Sequence, residues 1–391
     1  MTNASVTWSL PTRKPQARAG LLMMIFIVLV SSTAMAEDPY GFSDFPFEED
    51  STERHLKPFL LDEVFDDEEP PLVPEIIPSE SAFDVNRHAV RGSGGPGIGS
   101  GPGGIPGYRV TWYPSRPVSG QQGELAVLHQ NLTAGMPLWA DDGQALIFNF
   151  TVQNSHYSGN VILPDTGRPF PSDLWDVSFG LNYLRQFDNG WTGLLMASAG
   201  ASGDEPFQSS NEINMMLGGM LLIPARNQRD SWTFGVMYSP AGTLNFPIPM
   251  VAYSWSPSES FQMNIGLPFR LHWEPSRDWA LELSYVPLTN VNARLTYDLS
   301  DQLQFYGAYE NLSEAYFLSD RSNSEDRFFV LEQRLVVGVT WTVWRHLTAE
   351  LNSGYAFERE FGEGQNQGSS LHDKVRVSPG AFLGMNLQLA F

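Results

Sequence analysis

From Tyr108 to the C terminus, apolar and polar side chains take turns one residue at a time. Trp175, Val177, Phe179, Leu181 and Tyr183 alternate with Asp176, Ser178, Gly180 and Asn182. Leu335, Val337, Val339, Trp341 and Val343 alternate with Arg334, Gly338, Thr340 and Thr342. The same beat runs through Trp232–Tyr238, Trp279–Tyr285, Val291–Leu299 and Leu347–Phe357, and it carries the last stretch, where Leu383, Met385, Leu387, Leu389 and Phe391 share one face. Successive side chains of a strand point to opposite faces, so a period of two is the pattern of a β-sheet with two unlike sides. No stretch after Tyr108 has a helical period.

Two properties of these strands decide between a soluble and a membrane sheet. Each reads as about nine to eleven residues, the length that crosses a bilayer at a tilt, whereas soluble strands average about five or six. The polar face also carries charge at mid-strand: Glu282, Arg294, Asp298, Glu310, Arg334 and Glu350, with Arg109 and Arg270 on the same pattern. Burying such groups unpaired in an apolar core is costly. A barrel in a membrane reverses the faces, with apolar side chains toward lipid and polar ones toward a wet lumen. The expectation is an all-β, transmembrane, antiparallel up-and-down barrel, with these eight charged residues facing its interior, where they either line a pore or pair across strands and fill it.

Aromatics just ahead of prolines fit the same picture. Tyr113, Tyr238, Trp255, Trp273 and Tyr285 each stand at a strand end shortly before a proline. Tyr and Trp favour the headgroup level, and proline ends a ladder because it has no N–H to donate. All five are expected as interfacial residues.

Connections set the strand count. Short turns are expected at Asp188-Asn189-Gly190, Arg226–Asp230, Pro257–Ser260, Pro275–Asp278, Ser300-Asp301 and Arg345-His346, and long polar connections at Ser155–Asp173, Ser202–Asn211, Ser313–Arg327 and Arg359–Asp373. Barrels of this class keep short turns on one side and long loops on the other. That requires an even number of strands between the second and third long connections. Seven are evident; a tight hairpin at Leu267-Pro268 makes eight and a total of 16, while merging one pair gives 14. We prefer 16, which places both ends of the barrel on the short-turn side.

The N-terminal third has another character. Arg13, Lys14 and Arg18, the apolar run Leu21–Val30 and the small residues Ala34-Met35-Ala36 make 1–36 a secretory signal. Residues 37–91 form an acidic, Pro-rich arm; within 37–84, 16 Asp and Glu face only Arg54 and Lys57. Such a segment cannot bury enough apolar surface to offset its chain entropy and is expected to be disordered. Gly92–Gly107 is a flexible linker, and the barrel spans 108–391. The net charge of −21 speaks against nucleic acid as a partner, and the absence of Cys excludes disulfides and thiolate chemistry.

Catalytic patterns are sparse. The seven histidines show no metal-ligand spacing, and no phosphate-cradling loop or nucleophile elbow is present. His129, His272 and His346 lie in or beside strands and are the candidates for a lipid-modifying enzyme, but no Ser/Asp pattern accompanies them. No catalytic, cofactor or metal site is expected.

The closing stretch Ala381–Phe391, A-F-L-G-M-N-L-Q-L-A-F, resembles the last strand of Gram-negative outer-membrane β-barrels, with Leu387, Leu389 and Phe391 as its signature. With Phe246–Pro275, it makes 108–391 similar to the uncharacterised outer-membrane barrel families catalogued as domains of unknown function. That resemblance implies the fold, an outer-membrane location with membrane lipid around the wall, and recognition of the last strand by the barrel-assembly machinery. It brings no activity. The residues themselves favour a porin-like channel or transporter for small solutes, with the arm in the periplasm and able to fold into the lumen as a plug. The alternative is a non-conducting barrel that anchors the envelope through a periplasmic partner of the arm.

Overall fold

The computed structural model describes residues 106–391 apart from 209–211, 228, 240–246, 287–289, 322, 367–370 and 390–391. The signal, the acidic arm, nearly all of the glycine linker and Phe391 therefore lie outside the described residues. The strands are β1 (Gly107–Pro117), β2 (Glu124–Asp141), β3 (Gln144–Gly159), β4 (Asp173–Gln186), β5 (Thr192–Gly203), β6 (Ile213–Pro224), β7 (Ser231–Tyr238), β8 (Ile248–Ser258), β9 (Phe261–Gly266), β10 (Phe269–Ser276), β11 (Trp279–Val286), β12 (Asn290–Ser300), β13 (Leu303–Tyr316), β14 (Arg327–Trp344), β15 (Leu347–Gly364), β16 (His372–Val377) and β17 (Gly380–Leu389).

From β1 to β15 each strand pairs antiparallel with its chain neighbours, and β17 pairs with β1. The upper part of β15 pairs with β16 and the lower part with β17, so these two are halves of one strand broken at Ser378-Pro379. The wall is thus a closed antiparallel barrel of 16 strands. The eighth strand needed between the second and third long connections is supplied by the hairpin at Leu267-Pro268, which joins β9 to β10. Connections 160–172, 204–212, 239–247, 317–326 and 365–371 all leave from one rim, and both ends of the described chain lie at the other.

The faces are inverted as the alternation requires. Leu351 is 58% exposed and Val337 56% on the outer surface, alongside Leu195, Leu217, Phe234 and Trp341. At the short-turn rim this band meets a girdle that includes Trp139, Trp191, Trp232, Trp255, Trp273 and Trp344; Tyr238 and Tyr285 mark its other edge. The belt places amphipathic rings at the two headgroup levels.

Strand lengths differ from the uniform nine to eleven expected. β2, β14 and β15 run to 18 residues, and β9 has only 6. The long strands continue their ladders past the apolar band, where the outer face turns polar. There Gln333 accepts a hydrogen bond from Tyr309 and donates one to Glu358. Residues expected in the long connections, such as Ser313–Tyr316 and Arg359–Gly364, are consequently strand.

The interior is not uniformly wet, a second departure. At the long-connection rim the end of β5 meets the end of β13 through a parallel bridge between Gly203 and Phe317, with the Phe317 amide donating to the Ser202 carbonyl at 2.8 Å. Beside it the Asp204 carboxylate accepts from the Ser319 amide and hydroxyl at 2.7 and 2.8 Å, and Arg321 pairs with Glu212 at 3.7 Å. Because β5 and β13 are not neighbours in the ring, this suture divides the barrel mouth into two lobes. The first, walled by β13–β17 and β1–β5, is packed at its long-connection end. Tyr113, Val127, Tyr157, Leu174, Phe328, Phe361 and Phe382 fill it, and Val161, Leu163 and Phe170 of the 160–172 connection fold down onto them. The second lobe is walled by β5–β13.

Candidate functional site: the divided interior

In the first lobe a network of buried charges hangs from β1, β13, β14 and β15. Arg334 donates through Nε to Glu310 at 2.5 Å and through Nη1 to the Tyr113 hydroxyl at 3.1 Å. The Tyr113 hydroxyl donates to Glu332 at 2.5 Å, and the other oxygen of Glu332 accepts from Arg359 Nε at 2.9 Å. Arg359 lies over the Tyr113 ring and Arg334 over Phe382. A second knot joins Arg294, whose guanidinium is 3.6 Å from the Tyr306 ring centroid, to Glu350, which also accepts from the Tyr306 hydroxyl at 2.6 Å. Across the barrel, Gln153 of β3 donates to Glu314 and Tyr316 of β13. In such surroundings each charge is tolerable only because it is paired and hydrogen-bonded.

The 160–172 connection is latched at the rim. Arg168 bonds Glu363 and reaches Asp320 at 2.9 Å and Asp373 at 3.4 Å. Asp373 accepts from the amides of Asp165 and Thr166 and from the Thr166 hydroxyl, while its own amide donates to Asp165. Burial pushes the Glu363 carboxyl above its ordinary range despite Arg168. At Asp373 burial works the same way, but the bonds from Thr166 and Asp165 hold the carboxyl below its ordinary range.

The second lobe presents open side chains. Facing in from β5–β11, Met196, Met216, Met220, Met237, Thr233, Asn264, His272 and Glu282 are half-buried, and Gln262 and Arg270 are exposed. Met196 stands opposite Gly218, while Gly235 stands opposite both Met220 and Met250. A Cβ on Gly218 would lie 2.9 Å from Met196 Cε, and one on Gly235 2.9 Å from Met220 Cγ, so these flexible thioethers lie flat over the glycines. His272 sits between Glu274 and Glu282 at 3.3 and 3.4 Å.

The eight charged residues singled out from the alternation fall into two groups. Arg109, Glu310, Arg334 and Glu350 line one small cavity of about 10 Å³, room for a single water molecule. Arg294 joins them through Glu350 and faces Glu282 across the β11–β12 ladder, while Asp298 lies further down the same inward face of β12 and Arg270 on that of β10. Among the aromatics, Tyr238, Trp255, Trp273 and Tyr285 are on the outer face. Tyr113 is a correction: it is 1% exposed and points inward, because it shares the parity of Arg109 and Thr111. Its neighbour Trp112 takes the outer surface. Leu387 and Leu389 belong to the outward face of β17, which joins β1 in the closing ladder.

Sequence reasoning did not single out Tyr306, Arg359, Arg168 or Asp373. It also missed the approach of His129 Nδ1 to Ser155 Oγ at 2.6 Å. That pair lies within the packed lobe, where Tyr113 and Tyr157 meet the imidazole edge-on and Ser155 is fully buried. The pairing has no local signal, since 26 residues separate the partners.

Solved structures of several bacterial barrels are similar in outline. The COG4313 outer membrane channel from Pseudomonas putida F1 covers 76% of this chain and 100% of its own at 8% identity, with a TM-score of 0.32. The transport unit of the autotransporter AIDA-I from Escherichia coli covers 81% and 100% at 8% identity, with a TM-score of 0.30. The NanC porin covers 73% and 100% at 12% identity, with a TM-score of 0.24. No curated protein matches. A family profile described as Domain of unknown function (DUF6268) matches residues 164–389, more than half of the chain. This barrel therefore belongs to the DUF6268 family.

Proposed function

We propose that the protein is a non-enzymatic, porin-like conduit for small solutes in the outer membrane, and that the second lobe is the path. One observation carries this reading. Along β5–β11 the inward Met196, Met216, Met220, Met237, Gln262, Arg270, His272 and Glu282 are open or half-open to solvent, with Leu194, Met250, Ala252 and Ser254 buried among them, while the long-connection end of the first lobe is filled by side chains buried against one another. A 16-strand wall is wide enough to leave an aqueous passage. The strip Met196, Met216, Met220 and Met237 faces the path from one side, and Arg270, His272 and Glu282 face it from another. The same reading sets the short-turn rim, both ends of the barrel and the acidic arm in the periplasm, with the signal cleaved near Ala36 and β17 serving as the assembly signal.

The absence of Cys makes a direct test simple. In a planar bilayer the protein should conduct, and a Gln262→Cys variant should lose at least about half of its current when a bulky charged thiol reagent is added, because charge and bulk in a constriction govern conduction. Baseline conductance from well-folded protein, or modification at 262 without any change in current, would remove the proposal.

A further inference from the structure

At the long-connection rim, β15 and β16 bring a histidine and buried carboxylates to one point. Glu363, His372 and Asp373 each offer a ligand atom, and these atoms lie within 4.8 Å of one another. Asp373 is fully buried, with φ of 52°, in the left-handed region that an aspartate tolerates better than most residues. A second observation is independent of this clustering. Glu363 is 1% exposed, and while its Oε1 is bonded by Arg168, its Oε2 is buried without a hydrogen-bond partner. Leaving a carboxylate oxygen in that state is expensive. What stands before it is His372 Nε2, at 3.9 Å, with Asp326 Oδ2 3.7 Å from the same nitrogen.

We propose that this point is a divalent metal site, with Glu363 Oε2 and His372 Nε2 as ligands and with Asp373 or Asp326 completing the protein's share. The separations suit it. Two ligands on one zinc ion, with bonds of about 2.0–2.1 Å, stand about 3.3 Å apart. The His372 side chain, 40% exposed, is free to close the remaining half ångström. Charge suits it too: Asp320, Glu363 and Asp373 gather on the Arg168 guanidinium while Asp326 stands beside His372, a surplus of carboxylates that a doubly charged ion offsets. Imidazole with carboxylates selects zinc over calcium, which takes oxygen ligands only. Arg168 then holds Glu363 from the far oxygen, as outer-shell partners orient ligands in metal sites. The ion would clamp β15 and β16 to the latched 160–172 connection and so fix the cover of the packed lobe.

The test is titration of the tag-free full chain, folded in detergent, with ZnCl₂ and separately with CaCl₂, following binding heat and thermal unfolding. The expected result is a saturable zinc site that raises Tm, weakened at least about tenfold in both His372→Ala and Glu363→Gln, with no comparable response to calcium. Should Glu363→Gln fail to fold, His372→Ala decides, since that side chain is partly in solvent. Absence of saturable zinc binding, a site that survives His372→Ala, or equal stabilisation by calcium would each overturn the proposal.

Discussion

Replacing Arg334 with Met should cost the barrel about 2–4 kcal/mol, measured by urea unfolding in lipid or detergent, because it strips the closest partner from a largely buried carboxylate and from the buried Tyr113–Glu332 pair. Arg334 joins three elements at once: Glu310 of β13, Tyr113 of β1 and the face of Phe382 on β17. Its loss leaves Glu310 without its closest cation and removes one of the two arginines that balance Glu332 through Tyr113. The double variant Arg334→Met/Glu310→Leu should recover more than about 1 kcal/mol, since removing both members of a buried pair avoids the uncompensated charge. Arg334→Lys should remain defective, because an ammonium does not span the Glu310 and Tyr113 oxygens as a planar fork does. Strict additivity of the two single losses would show that the network does not act as a unit.

A Gly203→Val substitution should unpick the suture between the lobes. A Cβ at 203 would stand 2.3 Å from the Phe317 carbonyl oxygen, which is backbone and cannot swing aside. β5 and β13 must then part, and the hydrogen bond from the Phe317 amide to Ser202 is lost with them. The strain should cost about 1–3 kcal/mol. Its specific signature is hydrogen exchange: the Phe317 amide should change from protected to rapidly exchanging, while amides of the ladder between β14 and β15 keep their protection. Conductance should rise as the divided mouth merges. Unchanged protection at Phe317 would mean that the two strands are not joined there.

The strand faces were legible because they follow from a period of two that every residue repeats, and the hairpin at Leu267-Pro268 was legible because parity demanded one more strand. Tyr113 shows where a local motif misleads. The aromatic-before-proline pattern is shared by Tyr238 and Tyr285, yet counting two and four residues back to Thr111 and Arg109 places Tyr113 on the inner face. The parity signal was present and outranks the motif. The suture and the latch could not be read in this way. Gly203 meets Phe317, and Arg168 meets Glu363 195 residues away, only after the ring has closed. A mid-strand charge announces that the inner face is polar, but whether it faces water or another buried charge depends on strands far off in the chain. For that reason the alternation left both a pore-lining and an interior-filling role open for these charges, and half of the mouth proved to be packed.

Apolar side chains face lipid, while polar ones face an interior whose mouth is packed in one lobe and open in the other. Single cysteines at Val337, Val127 and Gln262, tested in lipid vesicles with a charged, water-soluble thiol reagent, examine this arrangement most directly. Val337 is 56% exposed on the outer wall, Val127 is 1% exposed in the packed lobe, and Gln262 is open in the second lobe. Labelling should occur at 262 alone, and a lipid-soluble reagent should add 337. Rapid aqueous labelling at 337 with protection at 262 would contradict the account.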